Sequence, residues 1–306
     1  MADWRDDPWH ASTLEWLRGE LQLQGDDAVA EPEEFHVRPW STVFRVRTRR
    51  GTVYLKAVPP KLAHEVRLTH WLSSRFPDRV AQVMAAHDAR GLMLLRDGGT
   101  RLRDVGTDLA GWCRVAGDYA DLQLLAAPGI GELLGLGVPD RRVANLPAAL
   151  SHVLPPTEGD IVARYRALCD ALAEIDVPDT IQMDDLHDGN VLLDGGRARF
   201  FDWGDASVAH PFFSLRMYLG TAATRLDVPV DGREVARIRD TYLERFSGRA
   251  PMSVLHAAAV LASRVVPTVR IMSWQLAVEG AAPADQGSRW GETLDELVEQ
   301  QRAALR

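Results

Sequence analysis

The sequence predicts an α+β chain in two lobes, a small β-rich one over residues 1–97 and a larger, mainly helical one over 98–306. Two observations predict it. From Ala28 to Arg96 the apolar residues fall mostly in short, strand-like runs with one helical segment inserted. After Asp97-Gly98-Gly99, which reads as an interlobe linker, the period becomes that of long amphipathic helices. A chain of 306 residues can bury one large core or two.

Taken in order, Ser12 or Thr13 could cap a first helix whose Leu14, Leu17 and Leu21 form an apolar stripe ending near Gly25. Val43, Phe44 and Val46, the turn-like Arg49-Arg50-Gly51 and the run Val53 to Val58 read as a hairpin with Lys56 near its end. Lys61 to Arg75 is helix-like until Pro77-Asp78 breaks it. Val80 to His87 and Leu92 to Arg96 read as two further strands joined at Arg90-Gly91. Beyond the linker, helices are expected over about Thr107 to Leu125, Asp160 to Ile175, Phe212 to Arg225, Arg233 to Phe246, Ser253 to Trp274 and Arg289 to Leu305. Gly129 to Pro156, rich in glycine and proline, reads as an irregular surface excursion.

There are 43 acidic and 35 basic residues, a formal charge of −8. This balance argues against a nucleic-acid partner and mildly favours a cationic or neutral small molecule. Cys113 and Cys169 have no metal-ligand spacing, so buried free thiols are expected. The acidic start from Met1 to Asp7 lacks the apolar core of a secretory signal. Arg264, Pro267 and Arg270 interrupt the most apolar late segment, so no membrane partner is expected and a cytoplasmic location is. Oligomeric state is not legible, because an apolar helix stripe can face either a core or a partner.

The chemistry is concentrated in Met183-Asp184-Asp185-Leu186-His187-Asp188-Gly189-Asn190 and Phe201-Asp202-Trp203. Asp185 and Asn190 stand five positions apart, which suits a loop that sets a carboxylate at an acceptor hydroxyl and an amide oxygen on a metal. Val191 to Phe201 reads as a hairpin around Asp194-Gly195-Gly196 that returns Asp202 to the side of Asn190. Asn190 and Asp202 are hard oxygen donors suited to Mg²⁺, and that chemistry requires ATP or GTP.

Lys56 and, nine residues later, Glu65 are placed to hold an ammonium toward nucleotide phosphates. Such a pair is commonplace alone and gains meaning from the acids downstream. Asp185 is the candidate to orient the acceptor and take its proton, with a helix or turn cap as the bland alternative. His187 is expected to fix the loop by bonding toward the turn near Asp202, unless it is a packed core histidine. Asp184 reads as a loop hydrogen-bonder, and Asp188 and Gly189 as turn residues. Asp205 reads as a substrate-facing acid or a solvated cap, and His210-Pro211 as a loop-to-helix transition.

As a set these residues resemble the aminoglycoside phosphotransferase family, which also contains choline and homoserine kinases. The resemblance runs from about Val37 to Leu219. The family's His-Gly-Asp-Leu-His-x-x-Asn loop matches at Asp185, Leu186, His187 and Asn190, with Met183 and Asp184 replacing the first two residues. Its Ile-Asp-Trp/Phe metal motif matches Phe201-Asp202-Trp203, and its strand lysine and helical acid match Lys56 and Glu65.

The resemblance implies a bilobal protein-kinase-like fold, with adenine held by backbone groups near Leu95 and Asp97. The phosphate-covering turn falls at Arg38 to Phe44, which has no glycine but offers Ser41 and Thr42. Where the family often has Pro-x-x-Asp-Leu, this chain has Pro211-Phe212-Phe213-Ser214-Leu215, so a contact to the loop is lost or supplied elsewhere.

The leading expectation is an ATP- and Mg²⁺-dependent kinase acting on a hydroxyl of an aminoglycoside, amino sugar or amino alcohol. The altered loop and glycine-free turn keep open a catalytically weak pseudokinase that binds nucleotide or small molecules. A metal-dependent hydrolase built on Asp185, His187, Asp202 and His210 is a third reading, in which Lys56 and Glu65 have no role.

Overall fold

In the computed structural model, which describes residues 4, 6–279 and 293–306, the chain opens with helix α1 (Asp7–Leu23). Asp6 caps it by accepting from the Trp9 N–H at 3.1 Å, and Pro8 sits in the first turn. The helix therefore starts well before the expected caps Ser12 and Thr13. The Ser12 hydroxyl bonds back to the Trp9 carbonyl instead.

The first sheet is antiparallel in the order β1-β2-β3-β5-β4, with β1 (Glu33–Arg38), β2 (Ser41–Thr48), β3 (Gly51–Ala57), β4 (Val83–His87) and β5 (Leu92–Arg96). Strand alternation gives it two unlike faces. Phe44, Val46, Val53, Leu55 and Leu94 pack on Leu17 and Leu21 of α1, and each fully buried leucine contributes about 2 kcal/mol. On the other face, register lines up His36, Val43, Lys56 and Met93 in one row. Helix α2 (His64–Arg75) follows β3 and brings Glu65 to that row.

Beyond Arg96 the chain is mainly helical. Strand β6 (Thr100–Arg101), α3 (Leu102–Val105), α4 (Leu109–Ala126), α5 (Ile130–Gly135), α6 (Leu146–Val153) and α7 (Gly159–Ala173) lead to β7 (Thr180–Met183). There follow β8 (Val191–Asp194), β9 (Arg197–Phe200), β10 (Ala206–Ala209), α8 (Leu215–Leu226), α9 (Arg233–Glu244), α10 (Met252–Val265), α11 (Pro267–Val278) and α12 (Leu294–Ala304). Two small sheets, β6-β8-β9 and β7-β10, lie inside this helical part.

Two expectations need correcting. The stretch Gly129 to Pro156 is not a surface excursion, because α5 and α6 bury Leu133, Leu146 and Leu150 completely in the main core. Helices of six and eight residues are too short for the 3.6-residue period to show. The single helix expected over Ser253 to Trp274 is two, because Pro267 lacks an N–H and starts α11 after a 42° bend. Among the described residues no single helix is long and apolar enough to cross a membrane. Cys113 and Cys169 are buried free thiols. Thr293 and Glu296 form a capping box at α12, while the expected helix start at Arg289 lies outside the described residues.

Candidate active site

The loop from residue 184 to 190 hangs between two small sheets. Pairing of Met183 with Ala206 holds its start, and β8 begins where it ends. Gly195 and Gly196, with φ of 55° and 85°, close the two-residue turn between β8 and β9. That hairpin returns the chain so that the Phe201 N–H donates to the Asn190 carbonyl at 3.2 Å, which sets Asp202 beside Asn190. Asp202 holds a left-handed φ of 66°, unusual for a residue with a side chain.

Lys56 Nζ reaches Glu65 Oε1 at 2.5 Å and Asp202 Oδ1 at 2.6 Å. Burial opposes the Lys56 charge, but Asp202 and Glu65 outweigh it and raise its pKa above the ordinary value. Burial raises the Glu65 pKa against the pull of Lys56. His64 Nε2 lies 3.2 Å from the Gly204 carbonyl, tying the start of α2 to the turn after Asp202. The carboxylate of Asp202 keeps about half of its surface open, 47%. Asn190 Nδ2 donates to the Asp185 carbonyl at 3.0 Å, so its amide oxygen points the other way. Two hard oxygen donors at the cleft fit a magnesium ion better than a soft one.

Asp185 Oδ2 lies 3.3 Å from His187 Nε2, and Oδ1 lies 3.6 Å from Arg270 Nη2. Burial pulls the Asp185 pKa up, but His187 and Arg270 prevail and hold it below the usual carboxylate range. His187 Nδ1 accepts from the Gly189 N–H at 2.9 Å, so it braces its own loop rather than the turn near Asp202. A Cβ on Gly189 would meet Arg103 Nη2 at 2.6 Å and His187 Cε1 at 2.7 Å. Asp188 is more than a turn residue. Its buried carboxylate receives Arg103 Nε at 3.1 Å and Arg225 Nε at 2.5 Å, anchoring the loop to α3 and α8.

Ser214 stands where an aspartate was expected. Its hydroxyl accepts from the Met183 N–H at 3.1 Å and lies 3.1 Å from the Tyr119 hydroxyl, so a shorter side chain keeps a tie to the strand before the loop. His210 Nδ1 accepts from the Phe212 N–H at 3.2 Å and opens the short 3-10 turn that begins at Pro211, ahead of α8. Asp184, buried, faces Arg270 Nη1 at 3.4 Å, and Asp205 faces the same atom at 3.8 Å. Burial, opposed by Arg270 and reinforced by Asp185 and Asp184, pushes the Asp205 carboxyl up to about 7.

Not every expected residue converges. Ser41 shares the cleft face with Val43 and Lys56, at the turn Pro39-Trp40 between β1 and β2. Thr42 does not. It alternates to the α1 face, where its hydroxyl donates to the His36 carbonyl at 3.3 Å, so its side chain is not available to phosphate. Leu95 lies within the sheet between Tyr54 and Val83, and Asp97 follows the last paired residue and accepts from the Gly99 N–H at 3.1 Å.

Three residues escaped sequence reasoning. His36 shares the Lys56 row, Arg270 and Arg141 flank the loop, and none has a fixed spacing from it. Helix α11 also braces the cleft, through Trp274 against Trp40 with ring centroids 5.5 Å apart and through the Ala277 carbonyl to Lys61 Nζ at 3.1 Å.

The model of the phosphotransferase enzyme family matches residues 36–255, more than half of the chain. The chain belongs to this family. Membership makes it a phosphotransferase. No curated protein sequence matches it significantly.

Among solved structures, a choline/ethanolamine kinase family protein from Mesorhizobium loti superposes with a TM-score of 0.62 at 15% identity, covering 95% of this chain and 93% of that one. A macrolide 2'-phosphotransferase from Brachybacterium faecium gives 0.59 at 16%, covering 96% and 97%. Amicoumacin kinase in complex with AMP-PNP, Ca²⁺ and Ami gives 0.58 at 12%, covering 99% and 96%. At these identities the likeness is one of fold, the kinase-like α+β architecture.

Proposed function

We propose that this phosphotransferase moves the γ-phosphoryl group of ATP, with Mg²⁺, to the hydroxyl of a small molecule. The observation that carries the reading is the convergence of Lys56, Glu65 and Asp202 with Asp185 and Asn190 on one cleft. The AMP-PNP complex of a neighbour of the same fold supports a nucleotide substrate. The division of labour falls near residue 97, with 1–97 holding nucleotide and 98–306 holding catalytic loop and acceptor.

Lys56, steadied by Glu65, holds the nucleotide phosphates, while Ser41 and the backbone near Leu95 and Asp97 hold the phosphate turn and adenine. Asn190 and Asp202 would hold the metal, which would supply positive charge against the phosphates. Asp185 orients the acceptor hydroxyl and receives its proton as that oxygen bonds to phosphorus and ADP departs. His187 keeps Asp185 and the Gly189 backbone in register. ATP use suits a cytoplasmic enzyme. The hydrolase reading leaves the contacts of Lys56 with Glu65 and Asp202 without a role.

The test is ATP consumption with Mg²⁺ across hydroxylated acceptors, with the phosphorylated product identified by mass. Asp185→Ala should lower turnover by about 10³-fold with nucleotide affinity little changed, whereas Asp202→Ala should also lose metal-dependent nucleotide binding. Wild-type turnover in Asp185→Ala would sink the assignment. Nucleotide binding without turnover on any acceptor would favour a pseudokinase, the reading that the glycine-free turn keeps in view.

A further inference from the structure

The turn between β1 and β2 stands where the phosphate-covering turn is expected, and its residues are not those a two-residue hairpin favours. Pro39 and Trp40 close it between the paired residues Arg38 and Ser41. Turns of this length match the twist of their strands when a central residue is left-handed, which is why Asn-Gly and Asp-Gly are common there. Neither central residue supplies that conformation, since among the described residues the non-glycine ones with a left-handed φ are Asp202 and Asp227. A hairpin that only had to reverse direction has no use for a tryptophan at its tip.

The turn is instead anchored from outside, on two sides. On the α1 face of the sheet Trp4, 8% exposed, packs with Ala57 and Leu92. Its Nε1 donates to the Arg38 carbonyl at 2.9 Å, so the last residue of β1 is held from 34 positions earlier in the chain. Toward the helical lobe, Trp40 meets Trp274 of α11 edge to face, with ring centroids 5.5 Å apart. Trp40 also packs against the apolar cluster around Val66 and Met93, so one side chain joins the small lobe to the cluster of Ile271, Trp274 and Leu297. Lys61, donating to the Ala277 carbonyl at 3.1 Å, ties the segment before α2 to the same helix.

We propose that Trp4 and Trp40 are positioning residues for the nucleotide phosphates. Trp4 fixes the glycine-free turn from the outer face of the sheet, and Trp40 fixes it through Trp274. The residue so presented is Ser41, which follows Trp40 and shares the cleft face with Lys56. A glycine-rich turn is ordered by its ligand, whereas this one meets phosphate already in place. Trp274 stands one turn beyond Arg270 on α11, so the helix that faces Asp185 also sets the position of the turn. The inference rests on the kinase reading of the cleft.

The test measures binding of AMP-PNP with Mg²⁺, and of adenosine, to the full chain by titration calorimetry. Adenosine reads the base and ribose site, and the difference between the two ligands reads the phosphate turn. Trp40→Ala should weaken AMP-PNP by about 10-fold and leave adenosine within about 2-fold of wild type. Trp40→Phe keeps a ring against Trp274 and should recover most of that loss. Trp4→Phe keeps the packing and removes only the N–H, so it should weaken AMP-PNP by about 5-fold with adenosine again unchanged. Trp274→Leu should weaken AMP-PNP as well, and combined with Trp40→Ala it should add nothing to the larger single loss. Unaltered AMP-PNP affinity in Trp40→Ala or Trp4→Phe, adenosine lost in step with AMP-PNP, or additive losses at Trp40 and Trp274 would overturn the proposal. A wild-type chain that binds neither ligand would overturn the kinase reading instead.

Discussion

The two sides of the cleft both set a cation among carboxylates, and they differ in which parts of the chain supply them. On the nucleotide side one ammonium, Lys56, reaches two carboxylates at 2.5 and 2.6 Å. On the catalytic-loop side the Arg270 guanidinium faces Asp184, Asp185 and Asp205 at 3.4 to 3.8 Å. The short contacts suit a group that must be in one place whatever the acceptor is, because phosphates and metal present the same geometry each time. Helix α11 spans both, since Arg270, Trp274 and Ala277 lie on one stripe and touch the loop, Trp40 and Lys61 respectively.

Lys56→Met is the most severe way to break the tight side. Turnover should fall by about 10³-fold, and loss of the ammonium, which leaves Glu65 buried without its partner, should cost about 3–5 kcal/mol of stability. Steady-state kinetics and urea unfolding of the same preparation read both effects, and unchanged stability would mean that Glu65 is not held by Lys56. Asp188→Asn should act on the loop that the two sides share. It removes the charge between Arg103 and Arg225, costs about 2 kcal/mol, and should lower turnover while leaving nucleotide affinity near wild type. If nucleotide affinity fell as far as turnover, the loop would not be separable from the nucleotide side.

The smallest effect comes from His210, behind the acceptor side. Burial pushes its imidazole down to about 3 from 6.5. Above pH 6.5 neither state is protonated and the residue adds no pH dependence. Below it the unfolded chain takes up a proton that the folded chain refuses, so stability falls with pH by up to about 1.4 kcal/mol per unit until pH 3 is approached. His210→Asn should flatten that slope, read by urea unfolding at pH 7, 6 and 5, and an unaltered slope would mean that the imidazole charges inside the fold.

Much of the nucleotide side was legible because its residues are tied by local spacing. Lys56 and Glu65 are linked by one strand and one helix, and Asp185, Asn190 and Asp202 by a loop and a hairpin. Local spacing did not separate the side chain of Thr42 from that of Ser41. A turn read as a string places Ser41 and Thr42 alike, whereas a strand sends them to opposite faces. His187 was expected to look toward Asp202, but its own loop offered the nearer Gly189 N–H at 2.9 Å. Short helices α5 and α6 left too few turns for periodicity to separate them from a loop.

By itself the sequence determined the kinase-like α+β plan and the set of groups able to handle phosphate and metal, because those depend on residues close along the chain and on their order. Only the tertiary structure decided what surrounds Asp185. Arg141 and Arg270 come from segments far from the loop along the chain, and no periodicity or spacing links them to it. Packing of α11 against the loop brings those charges together, and no motif encodes it.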